Sequence, residues 1–304
     1  MASAREMRLR IRSVKSIAQV TRALETVSAA KVRRAIAAVS ATRPYAEKSW
    51  KLLVHLARQP GHASLHPLLK ETLDVKKILI VLISGDRGLA GAFNVNIVRE
   101  TLDHFRDSTA SINFVAVGKK GRDMLMRRRK NIIAEFSDLP IAPSFSNLSA
   151  VGHIVIEEYL NGNADQVFLA YTDFHSMAKQ DTVVRKLLPL EVQYAEDRVK
   201  AYNVSHHHTS SVFQIEPDDQ KVLSNIITRF SELQVYQAVL TSQASEQAAR
   251  MVAMRNATDN ARELITSLQM DYNKARQQAI TNDMLDITGG AEAMTATARI
   301  AIKE

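Results

Sequence analysis

The last third of the chain carries a long helical pattern of apolar positions. From 218 to 288 it runs for 71 residues without glycine or proline, and apolar or small residues recur at alternating steps of three and four. This spacing is typical of a helix with one apolar stripe. A continuous helix of this length spans roughly 105 Å, which is wider than a single-domain core. The pattern therefore predicts a rod that lies beside another helix or inside a partner. The stripe comprises Leu223, Ile226, Phe230, Leu233, Gln237, Leu240, Ala244, Gln247, Met251, Met254, Thr258, Ala261, Ile265, Leu268, Tyr272, Ala275 and Ala279.

A second helical pattern lies at the N-terminus, where residues 1–43 also lack glycine and proline. We expect one helix to about Arg58, broken or bent near Pro44. An antiparallel two-stranded coiled coil with the C-terminal helix is the economical arrangement, and the longer C-terminal helix should project beyond it. The N-terminal apolar positions are Val14, Ile17, Val20, Leu24, Val27, Val32, Ile36 and Val39.

The middle of the chain has a different texture, because seven of the ten glycines and four of the seven prolines lie between 62 and 216. Strand patterns at 77–84, 112–117, 132–136, 166–171 and 182–192 alternate with helical patterns at 94–105, 119–129 and 148–160. This alternation predicts a Rossmann-like α/β domain with a mostly parallel sheet. The predicted fold class is thus an antiparallel coiled coil of the terminal helices plus a central α/β domain. The expected domains are 1–58, 59–216 and 217–304.

Composition and charge exclude several classes of protein. The chain has no cysteine, which excludes disulfides, thiol nucleophiles and thiolate metal sites. The longest apolar run, 78–83, is far shorter than a membrane span of about 18 residues. The net charge of +8 is concentrated in residues 1–60, where thirteen Lys or Arg face three Glu. Such a basic segment is compatible with nucleic acid and equally with an acidic protein surface. The Arg-rich start could imitate a presequence, but its continuation into a long helix argues against removal.

A glycine-rich segment follows the first predicted strand and opens a helix, where phosphate-binding loops lie. It lacks the Lys-Ser/Thr pair of a P-loop, and its spacing does not fit GxGxxG. A tight structural turn is therefore favoured over a nucleotide site. The turn residues are Gly85, Asp86, Arg87, Gly88 and Gly91.

No catalytic or metal constellation emerges from the remaining polar residues. The run His206-His207-His208 is surrounded by Ser, Thr and Asn, which is typical of a solvated loop rather than a metal site. Four scattered aspartates, at 138, 165, 173 and 181, show no nucleophile–base pairing. We expect no catalytic residues, no metal and no cofactor, and a chain that is not an enzyme on its own.

Polar groups off the C-terminal stripe form a weaker signal. Tyr272 and Ala275 belong to the apolar stripe, and three polar residues beside them lie off it: Lys274, Arg276 and Gln277. They form either an ordinary solvated face or donors that grip a partner's carboxylates. The segment 245–250, which ends at Arg250, has the same two interpretations.

At these segments the chain strongly resembles the gamma subunit of F-type ATP synthases. The resemblance rests on 11–35, 83–96, 244–265 and 272–281 and covers essentially the whole chain. It implies a coiled-coil shaft inside a hexamer of alpha and beta subunits, with the α/β domain against the epsilon subunit and the membrane c-ring. It further implies a non-catalytic rotor that carries torque, with no direct membrane insertion. The expected location is peripheral, at the cytoplasmic face of a bacterial inner membrane.

The resemblance also assigns partner contacts residue by residue. Lys31, Arg33 and Arg34 would face acidic segments of the beta subunits, and the two positions Arg276 and Gln277 would meet a beta-subunit catch loop. Arg250 matches a position linked to coupling. Leu24 stands where the family usually has a methionine. Leucine keeps the shape of that side chain but not its flexibility.

Further departures from the family are Ala90-Gly91-Ala92 in place of Cys-Gly-Gly and the absence of a dithiol insertion, so thiol regulation is excluded. A tail of 14 residues follows Gly289-Gly290, where a break in the helix is expected. Two rivals remain: a basic coiled-coil nucleic-acid-binding protein, and a nucleotide-binding enzyme built on the α/β insert.

Overall fold

The computed structural model of this chain describes residues 4–57, 67–70, 72, 74–190 and 219–301. The residues His206–His208 lie outside this part of the chain. In order, the elements are α1 Ala4–Ala57, a short 3-10 helix Pro67–Leu69, β1 Lys77–Ile83, α2 Phe93–His104, β2 Ser111–Val117, α3 Lys119–Arg127, β3 Asn131–Phe136, α4 Phe145–Leu160, β4 Gln166–Phe174, β5 Gln180–Leu188 and α5 Asp219–Ala301. Two long terminal helices and a central α/β unit are thus confirmed.

The central sheet has the strand order β3-β2-β1-β4-β5. The first four strands are parallel, and β5 pairs antiparallel to β4 at one edge. Parallel neighbours need crossover connections, which the helices between the strands provide. The last strand begins two residues earlier than the pattern predicts and ends before Pro189, which has no N–H for a further ladder bond.

The central strand β1 is buried on both faces because helices cover both sides of the sheet. Ile78, Ile80 and Leu82 point to one face, where they pack with Ile97 of α2 and Leu125 of α3. The alternate residues point to the other face, where α4 and the beginning of α5 lie; they are Leu79, Val81 and Ile83. Because alternate residues of β1 point to opposite faces of the sheet, one continuous apolar run contributes to two separate hydrophobic cores.

The beginning of α5 packs on this sheet and beside α4. Ile227, Phe230, Leu233 and Val239 belong to the same core as the alternate residues of β1. On α4, a Cβ atom added at Gly152 would lie 2.9 Å from the Glu232 side chain. This part of the stripe therefore faces the sheet and α4, and the coiled coil with α1 involves a later part of α5. A helical stripe buries equally well on a sheet face or on a helix, so spacing alone does not distinguish the two.

The chain divides into two compact units, Thr26–Ala253 and a second unit formed by Met1–Glu25 with Met254–Glu304. In the second unit the two helical segments run antiparallel. The Thr21 and Thr258 hydroxyl oxygens lie 2.8 Å apart in a buried hydrogen bond, and Arg255 lies 3.8 Å from Glu25. As residue numbers rise on one helix they fall on the other, which confirms the antiparallel prediction for this unit.

The face that α1 buries agrees with the predicted stripe only in part. Val32 is buried as predicted, and the predicted positions that are half-buried are Val14, Leu24, Ile36 and Val39. The predicted positions Ile17, Val20 and Val27 are 50–56% exposed, although they fit the helical spacing. The buried residues outside the prediction are mostly small or polar: Ile11, Thr21, Ser28 and Ala35. Small residues let helices approach closely, so the buried face is chosen by fit as well as by hydrophobicity.

The helices are broken at neither of the two predicted places, whereas the alternative of a bend near Pro44 stays a prediction. Helix α1 is continuous across Pro44, and α5 is continuous through Gly289 and Gly290 to Ala301. An interior proline costs about 3 kcal/mol and each interior glycine about 1 kcal/mol. A long helix tolerates such penalties because it does not have to nucleate again.

The pairing of the second unit ends well before α5 does. The Thr21–Thr258 contact sets a register that places Ala4, the first described residue of α1, opposite residue 275. Tyr272 and Ala275 are half-buried, whereas every described residue from Arg276 to Glu292 is exposed. The C-terminal helix therefore projects beyond its intrachain partner, as its length predicts.

Candidate functional site

The Asp86 carboxylate in the turn between β1 and α2 caps the beginning of a different helix, α3. It accepts hydrogen bonds from the backbone N–H groups of Lys119, at 3.0 Å, and Asp138, at 3.0 Å. Lys119 is the first residue of α3, and helix N-termini attract negative groups. The Lys119 ammonium pairs with Asp138 at 2.7 Å. Asp86 thus joins the turn to the next crossover, which favours the structural interpretation of this turn.

A buried asparagine closes the same turn from the side of α2. The Gly85 N–H donates to Asn94 Oδ1 at 2.8 Å, and Asn94 Nδ2 donates to the Arg87 carbonyl at 3.3 Å. Asn94 is buried in the first turn of α2. These hydrogen bonds hold the backbone of the turn in one conformation. Another element can therefore contact the turn in that conformation.

That other element is α5. The Arg250 guanidinium donates to the Gly88 carbonyl at 3.3 and 3.2 Å and to the Arg87 carbonyl at 3.4 Å. It also donates to Glu246 Oε1 at 2.6 Å, one helical turn earlier. A Cβ atom added at Gly85 would lie only 2.6 Å from Glu246 Oε1. A side chain at this position would therefore displace the Glu246 carboxylate from its present place.

Burial raises the pKa of Glu246 above its usual range, and the Arg250 guanidinium opposes this shift. The neighbouring Asp86 carboxylate raises the pKa further, whereas Lys31 on α1 lowers it. Desolvation outweighs the charge partners because Glu246 is only 9% exposed. The turn Gly85–Gly88 and Arg250, which the sequence presents as two unrelated groups, therefore meet at one buried carboxylate. The charges of Asp86 and Lys31 act on that carboxylate in opposite directions.

The structure does not bring the other predicted partner residues to this place. Arg33 and Arg34 are exposed on α1, and Leu24 is half-buried in the helix pair. Arg276 and Gln277 are exposed at the beginning of the projecting part of α5. Their contacts with partner subunits stay a prediction.

Two functional features were missed by sequence reasoning. Glu246 was read only as part of a polar segment, although a Glu four residues before an Arg is a recognisable helix pair. A row of apolar side chains on the projecting helix was also missed, and its spacing of three and four was the available signal. These exposed residues are Ile280, Met284, Leu285 and Ile287.

Within the described residues, no group of His, Asp and Glu could hold a metal ion. In the same part of the chain, no helix is long and apolar enough to cross a membrane.

Comparison with known proteins agrees with this architecture. A sequence model described as ATP synthase matches residues 3–294. The ATP synthase gamma chain of Dehalococcoides mccartyi strain BAV1 is 43% identical over 296 residues, which cover 97% of this chain and 100% of the relative. The ATP synthase gamma chain of Legionella pneumophila strain Corby is 36% identical over 297 residues, again 97% and 100%.

Solved structures share the fold. A chain of the central stalk/c-ring structure of Tetrahymena thermophila mitochondrial ATP synthase is 26% identical, with a TM-score of 0.59 over 78% of this chain and 99% of that one. A chain of the Euglena gracilis mitochondrial ATP synthase is 24% identical, with a TM-score of 0.66 over 96% and 95%. The second match, at this identity, speaks for the fold alone.

Two long terminal helices around an inserted parallel sheet thus define a subunit of an ATP synthase complex. Within that class, the chain belongs to the ATP synthase gamma chain family.

Proposed function

We propose that this chain is the central rotor shaft of an F-type ATP synthase. It transmits torque between a membrane c-ring driven by ion flow and the catalytic sites of an alpha/beta hexamer. The observation that carries this proposal is the projecting part of α5, where Ile280, Met284 and Ile287 lie on one helical stripe and are 48–72% exposed. Such an apolar row, on a helix segment that the other described elements do not cover, is a surface that another protein covers.

The shaft acts by unequal contact rather than by chemistry. A rod whose sides differ offers a different contact free energy to each surrounding site and so favours a different conformation in each. Rotation then moves that bias from site to site. Ion flow drives ATP synthesis in one direction, and ATP hydrolysis drives ion pumping in the other. The chain supplies no catalytic residue and holds no cofactor in this proposal.

Membership of the gamma chain family supports the following partners. Residues 1–58 and 217–304 form the shaft, and the foot domain, 59–216, lies against the epsilon subunit and the c-ring. The basic residues Lys31, Arg33 and Arg34 contact the beta subunits together with Leu24. The complex is associated with a membrane, and we place this subunit peripherally at the cytoplasmic face of a bacterial inner membrane. The comparisons give no support to the nucleic-acid alternative.

The absence of cysteine allows a direct test of rotation. Met126, at the end of α3, is 61% exposed, so Met126→Cys provides a single site for a fluorescent label on the foot domain. The labelled chain is purified with alpha and beta subunits, and the hexamer is fixed to a surface. ATP is expected to drive stepwise rotation of the label. ATP hydrolysis with a stationary label, or a chain that binds DNA and does not co-purify with the hexamer, would refute the proposal.

The contact at Arg276 has its own test. Arg276 lies four residues before Ile280 and therefore borders the exposed apolar row. Charge reversal, Arg276→Glu, is expected to lower coupled ATP synthesis at least tenfold, because a charge-assisted hydrogen bond to a partner carboxylate becomes a repulsion. Asp271→Arg, an exposed charge reversal on the paired part of the same helix, is the control. Unchanged coupled synthesis in the Arg276 variant would contradict the assignment.

A further inference from the structure

Glu246 and Arg250 form a short connection between α5 and the sheet unit. Both side chains are only 12% exposed, and their charged ends lie 2.6 Å apart. The guanidinium reaches from the helix to the Gly88 and Arg87 carbonyl groups. The guanidinium therefore bonds the helix and the turn at the same time.

The carboxylate of Glu246 determines where that guanidinium lies. It packs against the backbone of Gly85, at the place that a Cβ atom of this residue would occupy. Glu246 lies four residues before Arg250, so the two side chains are neighbours on one face of α5. From this position the carboxylate holds the guanidinium toward the β1–α2 turn. The main-chain carbonyls alone would leave the long Arg250 side chain free to choose other rotamers.

The position of this pair in the fold gives it a mechanical meaning. The turn lies at the carboxyl end of β1, and Gly91 at its other end approaches the Ala253 side chain, with 3.9 Å between the Ala253 Cβ and the Cβ that position 91 would carry. Ala253 is the last residue of α5 that belongs to the sheet unit. The helix then continues into the segment that carries the exposed apolar row. The pair therefore holds α5 where it leaves the sheet.

We propose that Glu246 is a positioning residue that holds Arg250 on the β1–α2 turn, and that this joint adds to the core contacts of the beginning of α5 in making the foot domain and α5 rotate as one body. The inference rests on the proposed rotor function and deepens it. It gives Arg250 a hydrogen-bonding role within this chain, whereas the family resemblance alone places Arg250 among the partner contacts.

The first test is Glu246→Gln in the assembled complex, since glutamine keeps the size of the side chain and removes its charge. The ratio of ATP-driven ion pumping to ATP hydrolysis is expected to fall at least twofold. Glu157→Gln is the matched control, because Glu157 has the same chemistry in an exposed pair with His153 on α4. This control is expected to keep the ratio of the unmodified complex.

A disulfide provides the second test by replacing the proposed joint with a covalent one. The separation of 3.9 Å between the Cβ positions at Gly91 and Ala253 is close to the disulfide mean of about 3.8 Å. The chain has no other cysteine that could compete. Gly91 has a φ of +59, a strained conformation for cysteine, so Gly91→Cys with Ala253→Cys is also measured with Glu246 intact. Oxidation is expected to restore the pumping ratio in the Glu246→Gln background, and reduction to abolish the repair.

Each outcome decides the inference. A Glu246→Gln complex with the unmodified ratio would overturn it. The inference would also fail if the oxidised disulfide does not restore the low pumping ratio of the Glu246→Gln complex, although the same disulfide leaves the complex with Glu246 coupled. The Glu246–Arg250 pair would then act on a partner. Failure of the unmodified chain to couple pumping to hydrolysis would instead refute the rotor function itself.

Discussion

The sharpest prediction concerns the corner between β2 and α3, where Gly118 adopts a φ of +100. A Cβ atom at this position would lie 2.2 Å from the Ser84 carbonyl oxygen and 2.8 Å from Ser84 Oγ. These atoms belong to the end of β1, whose Ser84 N–H donates to the Val117 carbonyl at 2.8 Å. Gly118→Ala therefore forces two neighbouring strand ends apart.

The expected loss of stability has two parts. Gly118 has a ψ of 137 beside its φ of +100, close to a region that only glycine commonly adopts, and this costs a residue with a side chain about 1–3 kcal/mol. The main clash is with a main-chain oxygen that no rotamer change can move, and overpacking of this kind costs about 1–3 kcal/mol. The sum predicts that Gly118→Ala lowers the free energy of unfolding by about 2–6 kcal/mol.

Two other glycines separate these parts. Gly162 has a φ of +71 but no atom within 4 Å of an added Cβ, and Gly88 has neither feature. Gly162→Ala should therefore lose only about 1–2 kcal/mol, and Gly88→Ala should be neutral or slightly stabilising.

Urea unfolding of the full chain, followed by circular dichroism and by pulse proteolysis, measures the three variants. The free energies can be compared only where both probes give the same midpoint. A Gly118 variant as stable as the Gly162 variant would show that the close approach to Ser84 does not exist, and the reasoning would fail.

Two further predictions concern the buried polar groups of the long helices. Thr21→Val and Thr258→Val should each cost about 1 kcal/mol of unfolding free energy. The double variant should show a coupling of about 0.5–1.5 kcal/mol, because the two hydroxyls share one hydrogen bond. Thr266→Val, an exposed control, should cost little, and strictly additive losses would contradict the contact. Burial raises the pKa of Glu246. Between about pH 4.3 and that raised pKa, the folded chain therefore binds more protons than the unfolded chain. The free energy of unfolding should consequently fall as pH rises through this window. Urea midpoints across this range should show a smaller fall for Glu246→Gln, and identical pH profiles would speak against a buried carboxylate.

Much of the fold could be predicted from the sequence because it depends on local periodicity. The strands of the sheet and the helices between them follow from alternation and from the positions of glycine and proline. The projecting part of α5 follows from its excess length. The motifs at 11–35 and 244–281 carried the family, since they are long and specific.

The candidate site could be predicted only in pieces. The turn at Gly85–Gly91 and Arg250 lie about 160 residues apart in the chain, and no local pattern indicates that they touch. Glu246 looked like an ordinary polar residue, because its burial depends on the approach of a turn from a different part of the chain. The missing Cβ of Gly85 acquires its meaning only from that approach.

By itself, the sequence determined which segments form helices and strands, that α5 is long enough to project beyond α1, and that no thiol chemistry is available. It also predicted much of the face that α5 buries, where Phe230, Leu240 and Met254 lie. The tertiary structure alone decided much of the face that α1 buries. Ile17 and Val20 are left exposed while Thr21 and Ser28 are buried, because close approach of two helices rewards small side chains and paired hydroxyls over greater hydrophobicity. The same long-range packing turned Glu246 and Arg250 from one face of a helix into a joint with the sheet.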